Sequence, residues 1–157
     1  VVYIDFHAAE CTVEPFLVAD AQSLPFRSEA FTDIYLCHLF EHLREPTTFL
    51  KDAWRVLKHG GRLVMWMPNF MSRSAKRDPL HLHTYSFLTL SRLLGRVGFR
   101  YYYPSCNIGG KIPKAVRWML KGAYLLLSDE LNVVAVKAGR ANQFRYTLAL
   151  TLREQRQ

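Results

Sequence analysis

The segment DIYLCHLFEHLREPTTFLKDAWRVLKHGGRLVMWMP, residues 33–68, decides the fold. It opens on an apolar run, Asp33–Phe40, and closes on another, Gly61–Pro68. Between them Phe49, Leu50, Ala53, Trp54 and Leu57 recur at helical spacing, and Pro46 suits a first helical turn. Lys58 and His59 then fall near the negative end of the helix dipole, and Gly60 or Gly61 can end the helix in a left-handed turn. Pro68 stops the second run, because proline donates nothing to a strand ladder. The spacing predicts a strand–helix–strand unit. Its near-continuous apolar runs, without strict alternation, are those of parallel strands covered on both faces.

Outward from this unit the same alternation continues. VVYIDF (1–6) and PFLVAD (15–20) read as buried strands ending at Asp5 and Asp20. SFLTLSRLLGRVGF (86–99) reads as a helix with Ser86 as N-cap and Gly98 as its stop. FRYYYPS (99–105) is expected to be a strand, PKAVRWMLKGAYLLL (113–127) a helix and LNVVAVKA (131–138) a last strand. The tail GRANQFRYTLALTLREQRQ (139–157) finds no partner in this scheme. Strands alternating with helices imply an α/β fold with a doubly wound, mostly parallel sheet over residues 1–138, followed by a basic tail.

At 157 residues, half of them apolar, the chain is long enough for one globular domain with a real core. Cys11, Cys37 and Cys106 are scattered and odd in number, which argues against a disulfide framework and suits a reducing cytosol. No apolar run approaches the length of a bilayer span. The opening Val1–Phe6, followed by His7, Glu10 and Cys11, is not expected to be a signal peptide. Charge is divided: residues 1–50 hold two basic against eight acidic residues, and the remainder nineteen basic against five acidic. The acidic half could face a cationic or hydroxyl-rich ligand and the basic half an anionic partner, or both could be solvated surface.

In open α/β sheets, ligands bind outside the carboxyl ends of the strands. Asp5, Asp20 and the Cys37–Glu41 segment would gather on that rim. A carboxylate there can accept both hydroxyls of a ribose, so the pattern suits a nucleoside-containing cofactor; an Asp at a strand end also serves as a turn former.

Three ordered runs, DAQSLPFRSEAFTDIYLCHLFEHL, FLKDAWRVLKHGGRLVMWMPN and DPLHLHTYSFLTLSRLLGRVGF, resemble the class I S-adenosylmethionine-dependent methyltransferases, in particular the type 11 branch, across roughly residues 1–138. The resemblance implies methyl transfer from S-adenosylmethionine to a small-molecule, lipid or sugar-type acceptor. It also implies that Asp5 holds the cofactor ribose, that Asp20 with Ala21 brackets the adenine, and that His38 lines the methionine end. Glu41, His42 and His83 would then border the substrate mouth, and Arg55–Gly61 would be a structural turn. Three positions depart from the family pattern. Thr32 stands where an Asp is usual, with Asp33 next, and His59 stands where proline is common. The glycine-rich loop is missing, since the first glycine is Gly60. The strand that carries this loop normally lies between those of Asp5 and His38, so a gap is expected mid-sheet. A fragment of a longer product, a remodelled sheet or a chain that has lost cofactor binding would each explain it; the fragment is the favoured reading, and a non-catalytic interaction module is the alternative function.

An oxygen or nitrogen acceptor needs a base near neutrality, and histidine is the natural candidate. His81, in the loop after the fourth strand, is the favoured catalytic residue. His81 and His83 lie two apart and would point the same way in an extended segment, as a metal pair does; with no third ligand evident, no metal is expected. The segment 111–127 mixes Lys111, Lys114, Arg117 and Lys121 with apolar residues. It is either a helix packed on the sheet with snorkelling lysines or a peripheral membrane contact for a lipid-like substrate. Dispersed cations without a recognised module make nucleic acid an unexpected partner. A cytoplasmic protein, with membrane-peripheral attachment as the variant, is the resulting expectation for location.

Overall fold

A computed structural model describes residues 2–5, 16–104, 114–138 and 147–151. The strands are β1 (Val2–Asp5), β2 (Phe16–Val18), β3 (Phe31–Cys37), β4 (Leu57–Pro68), β5 (Phe99–Tyr102), β6 (Glu130–Lys137) and β7 (Thr147–Thr151). The helices are α1 (Pro46–Val56), α2 (Arg73–Arg77), α3 (Phe87–Val97) and α4 (Lys114–Leu127), and a 3-10 turn spans Phe40–His42. All seven strands form one sheet in the order β2-β1-β7-β3-β4-β6-β5. β2, β1, β7, β3 and β4 run parallel, and β6 runs antiparallel between β4 and β5. The α/β class, the mostly parallel sheet and the β3–α1–β4 unit agree with the sequence reading.

The expected gap between β1 and β3 is not there. β7, from the segment read as a partnerless tail, lies in that slot and pairs in parallel on both sides. Leu148, Ala149 and Leu150 stand opposite Val2, Tyr3 and Ile4 on one side and Ile34, Tyr35 and Leu36 on the other. Backbone groups on the facing edges of β1 and β3 are thereby paired, which removes the cost of leaving them orphaned inside the sheet.

The core explains most boundaries. α1 buries Phe49, Leu50, Ala53 and Val56 on one stripe, and α3 buries Leu90 and Leu94. They join Ile34 and Leu36 of β3, Leu63, Met65 and Met67 of β4, and Leu131, Val133 and Ala135 of β6. α3 starts and stops as its sequence predicts. The Ser86 hydroxyl accepts from the Thr89 amide while the Thr89 side chain accepts from the Ser86 amide, and Gly98 closes the helix at φ +100°.

α1 differs. It ends at Val56 rather than near Gly60, so Lys58 and His59 are extended residues of β4 and not a helix C-terminus. The pairing shifts between Phe31 opposite Leu57 and Asp33 opposite Arg62, an irregularity that absorbs the extra residues. Gly60 takes φ +77°, and a Cβ at Gly61 would come within 2.8 Å of the Lys58 carbonyl oxygen and 2.9 Å of the Thr32 carbonyl oxygen. The two glycines make the irregular entry into β4. They do not end α1.

Candidate functional site

The carboxyl ends of β1, β7, β3 and β4 form a rim with the amino end of the antiparallel β6. Asp5 is the last residue of β1, opposite Val18 of β2. Asp20 and Ala21 follow β2 in a turn whose geometry Asp20 itself sets. Its Oδ1 accepts from the Gln22 amide at 2.8 Å, and its carbonyl accepts from the Ser23 amide at 3.0 Å. The carboxylate is exposed and keeps Oδ2 unspent in this turn, while Ala21 is buried. The loop behind it is fixed from α1: Asp52 Oδ2 accepts from the Leu24 amide at 2.7 Å, and Arg55 donates to the Phe26 and Leu24 carbonyls at 2.7 and 3.1 Å. Arg55 thus positions the Asp20 turn, in keeping with a structural role for the Arg55–Gly61 segment.

His38 leaves β3 at φ +46°, a left-handed conformation that costs a non-glycine residue energy and marks constrained sites. Its amide donates to the Trp66 carbonyl at 2.9 Å. The imidazole sits between two carboxylates, with Nδ1 3.5 Å from Glu41 Oε1 and Nε2 3.6 Å from Glu130 Oε1. Burial and the nearby Glu130 and Glu41 push the Cys37 thiol up, so it is not a poised thiolate. The rim is electronegative here.

Glu41 is the unusual member. Its side chain is 3 % exposed, yet neither carboxylate oxygen has a hydrogen-bond partner among the described residues. Its main chain ties two loops together, since the Glu41 carbonyl accepts from the amides of Leu82 and His83 at 3.0 and 3.1 Å. That tie brings His42 against His81, with ring centroids 4.8 Å apart. His81 and His83 do not share a ligand. His81 turns inward, Nδ1 to the Ala75 carbonyl at 3.3 Å and Nε2 3.6 Å from Asp78 Oδ2, whereas His83 Nε2 lies 3.4 Å from the Arg44 carbonyl. Tyr85, 5 % exposed, packs on Phe40 at 4.8 Å. Its hydroxyl has no hydrogen-bond partner among the described residues.

Desolvation, then the charge of Glu41, pushes the Tyr85 phenol well above its ordinary value of 10. A folded pKa above the unfolded one gives stability that is present below pH 10 and lost as pH rises beyond it. Tyr85→Phe is expected to remove that alkaline loss. It should leave the neutral-pH stability equal or higher by up to about 1 kcal/mol, because an unpaired buried hydroxyl is a net cost. Thermal melts at pH 7 and pH 11 measure both; a loss above about 1 kcal/mol at pH 7 would mean that the hydroxyl is partnered.

Glu130, Tyr85 and Asp78 were not among the residues singled out from sequence. Glu130 reaches the rim only because β6 is antiparallel, so its first residue lies beside the last residues of β4 (Pro68 opposite Glu130). The side chains of Asp5 and residues 111–118 lie outside what the structure describes. The rest of α4 exposes Met119 and Leu127, each at 75 %, together with Leu120, Tyr124 and Leu126. Its C-terminal end is anchored at the rim by Asn69, whose Nδ2 donates to the Leu125 and Ser128 carbonyls at 2.9 and 2.8 Å. No helix among the described residues is long and apolar enough to cross a membrane.

A family profile described as a methyltransferase domain matches residues 4–65. Among solved structures, an S-adenosylmethionine-dependent methyltransferase from Archaeoglobus fulgidus is 18 % identical, with TM-score 0.60 over 87 % of this chain and 75 % of that one. The YcgJ protein of Bacillus subtilis is 16 % identical, with TM-score 0.57 over 80 % and 71 %. A phosphoethanolamine N-methyltransferase from Haemonchus contortus, solved with phosphomonomethylethanolamine and S-adenosylhomocysteine, is 16 % identical, with TM-score 0.53 over 79 % of this chain and 37 % of that one. No curated protein sequence matches the chain.

Proposed function

We propose that this chain, which has the class I methyltransferase fold, binds S-adenosylmethionine on the rim from Asp5 to His38 and transfers its methyl group to a small-molecule or lipid-like acceptor. The observation that carries the reading is the order β2-β1-β7-β3. It sets Asp5 at the end of β1 and His38 just past β3 on either side of β7, with Asp20 and Ala21 just past the adjacent β2, on the strand rim at which open α/β sheets take nucleotides. The residues fit the group. Asp20 has an unspent carboxylate oxygen, His38 is held in a constrained backbone, and Glu41 and Glu130 make the rim favourable to a cation.

The bound cofactor supplies the methyl group on a sulfonium, and the protein aligns the acceptor in line with it and excludes water. Asp5 accepts from the ribose hydroxyls. Asp20 and Ala21 border the adenine, and His38 lies toward the methionine end. Glu41, His42 and His83 border the acceptor, whose proton passes to His81, the most buried histidine of the mouth (side chain 7 % exposed). Leu80 and Leu82 flank His81 and are exposed, and Met119 and Leu127 project from α4. These apolar side chains favour a lipid-like acceptor met at a membrane surface by 111–127, in a cytoplasmic protein.

Amide hydrogen exchange with and without S-adenosylhomocysteine tests the reading. Protection is expected over residues 18–23 and 37–42, with none at the opposite end of the strands around 57–62. Unchanged exchange throughout would leave the interaction-module reading in its place.

A further inference from the structure

We propose that Glu41, His42 and His81 form a binding site for a divalent transition metal, zinc being the natural occupant. One ligand atom from each of the three lies within 4.8 Å of the others. Ligand atoms bonded tetrahedrally to zinc at ~2.0–2.1 Å are about 3.3 Å apart, so side-chain adjustment closes the site without moving the backbone far. Two imidazoles and one carboxylate are a set that zinc and its neighbours in the first transition row accept.

Three observations support a cation here over chance proximity. The Glu41 carboxylate is buried, and among the described residues neither oxygen accepts a hydrogen bond; the His38 ring lies 3.5 Å from Oε1, and Oε2 is left to be answered by a cation. Both rings are oriented from behind as metal ligands are. A carbonyl only accepts, so His42 Nδ1–H donates to the Leu80 carbonyl at 3.1 Å and His81 Nδ1–H donates to the Ala75 carbonyl at 3.3 Å. That leaves Nε2 of each ring as the ligand atom, free of a backbone carbonyl in His42 and beside the Asp78 carboxylate in His81. Finally, Asp78 Oδ2 lies 3.6 Å from His81 Nε2 and puts a second carboxylate beside the three ligands. The site joins the turn after β3 to the loop after α2, the two segments already tied through the Glu41 carbonyl.

With the metal bound, His81 is a ligand and no longer a proton acceptor. The ion would then bind an acceptor hydroxyl as a Lewis acid and lower its pKa, so that its proton is lost to water at the mouth and not to His81. The site stands on its own geometry and does not depend on cofactor binding.

The test titrates the untagged, chelator-stripped chain with Zn²⁺ by calorimetry and with Co²⁺ by its visible absorption. One equivalent is expected to bind, with the absorption of an ordered N/O site. His42→Asn and His81→Asn should each weaken binding by at least tenfold. Glu41→Gln should do the same; His42, which is only partly buried, gives the variant least disturbing to the fold, which circular dichroism checks. Binding that the His42 and His81 variants leave unchanged, or no binding at millimolar metal, overturns the site. S-adenosylhomocysteine titrated in the same samples keeps the two readings apart. Its binding without metal binding overturns only the metal site, whereas metal binding without it supports the site and removes the methyltransferase reading.

Discussion

Ala149→Pro is expected to unfold this domain or bring it close to unfolding. Ala149 is the middle residue of β7, opposite Tyr3 of β1 and Tyr35 of β3. A proline there removes the amide that one of the two ladders needs and places its ring against the neighbouring chain. The buried carbonyl left without its donor costs about 1–3 kcal/mol and the ring clash adds to it, against a total stability of about 5–15 kcal/mol for a domain. The damage is not confined to an edge, because β7 is what connects β1 and β2 to the rest of the sheet. Thr147→Pro is the control. As the first residue of the strand it occupies a position where proline is tolerated, and its loss of stability should be well under half as large. Denaturant unfolding of the two variants reads the difference. Equal, small effects would mean that β7 is not an interior strand.

Asp5→Ala is expected to weaken S-adenosylhomocysteine binding by about tenfold to a hundredfold while the domain stays folded. A carboxylate that accepts both ribose hydroxyls makes charged hydrogen bonds worth about 1.5–3 kcal/mol, and alanine leaves the hydroxyls to water. Asp5 ends β1 beside the slot that β7 fills, so the substitution lies outside the ladder interior and should shift the melting temperature little. Asp20→Ala should act less strongly on the ligand and more on the turn, since its Oδ1 already holds the Gln22 amide.

What could be read in the sequence was what depends on near neighbours. The stripe Phe49, Leu50, Ala53 and Trp54 announces α1, although Leu57, read with it, opens β4, and Ser86 and Gly98 announce both ends of α3, because periodicity and capping act within a few residues. β7 could not be read the same way. Thr147–Thr151 is a short run with no turn partner, and its two neighbours lie more than a hundred residues away in the chain. The end of α1 escaped for a related reason: Gly61 is required by the Thr32 carbonyl of the neighbouring strand, a contact that sequence spacing does not carry.

The site divides along the same line. Asp5, Asp20 and His38 were legible as polar residues at the ends of apolar runs. The pairing of His81 with His42 and Glu41, instead of with His83, arises where two loops meet through the Glu41 carbonyl. Glu130 required the antiparallel direction of β6.

We propose that the rim from Asp5 to His38 binds the cofactor. Calorimetric titration of the whole chain and of Asp5→Ala with S-adenosylhomocysteine tests it most directly. One saturable site per chain is expected, weakened at least tenfold by the substitution. No saturable binding, or equal affinity in the two proteins, would contradict it.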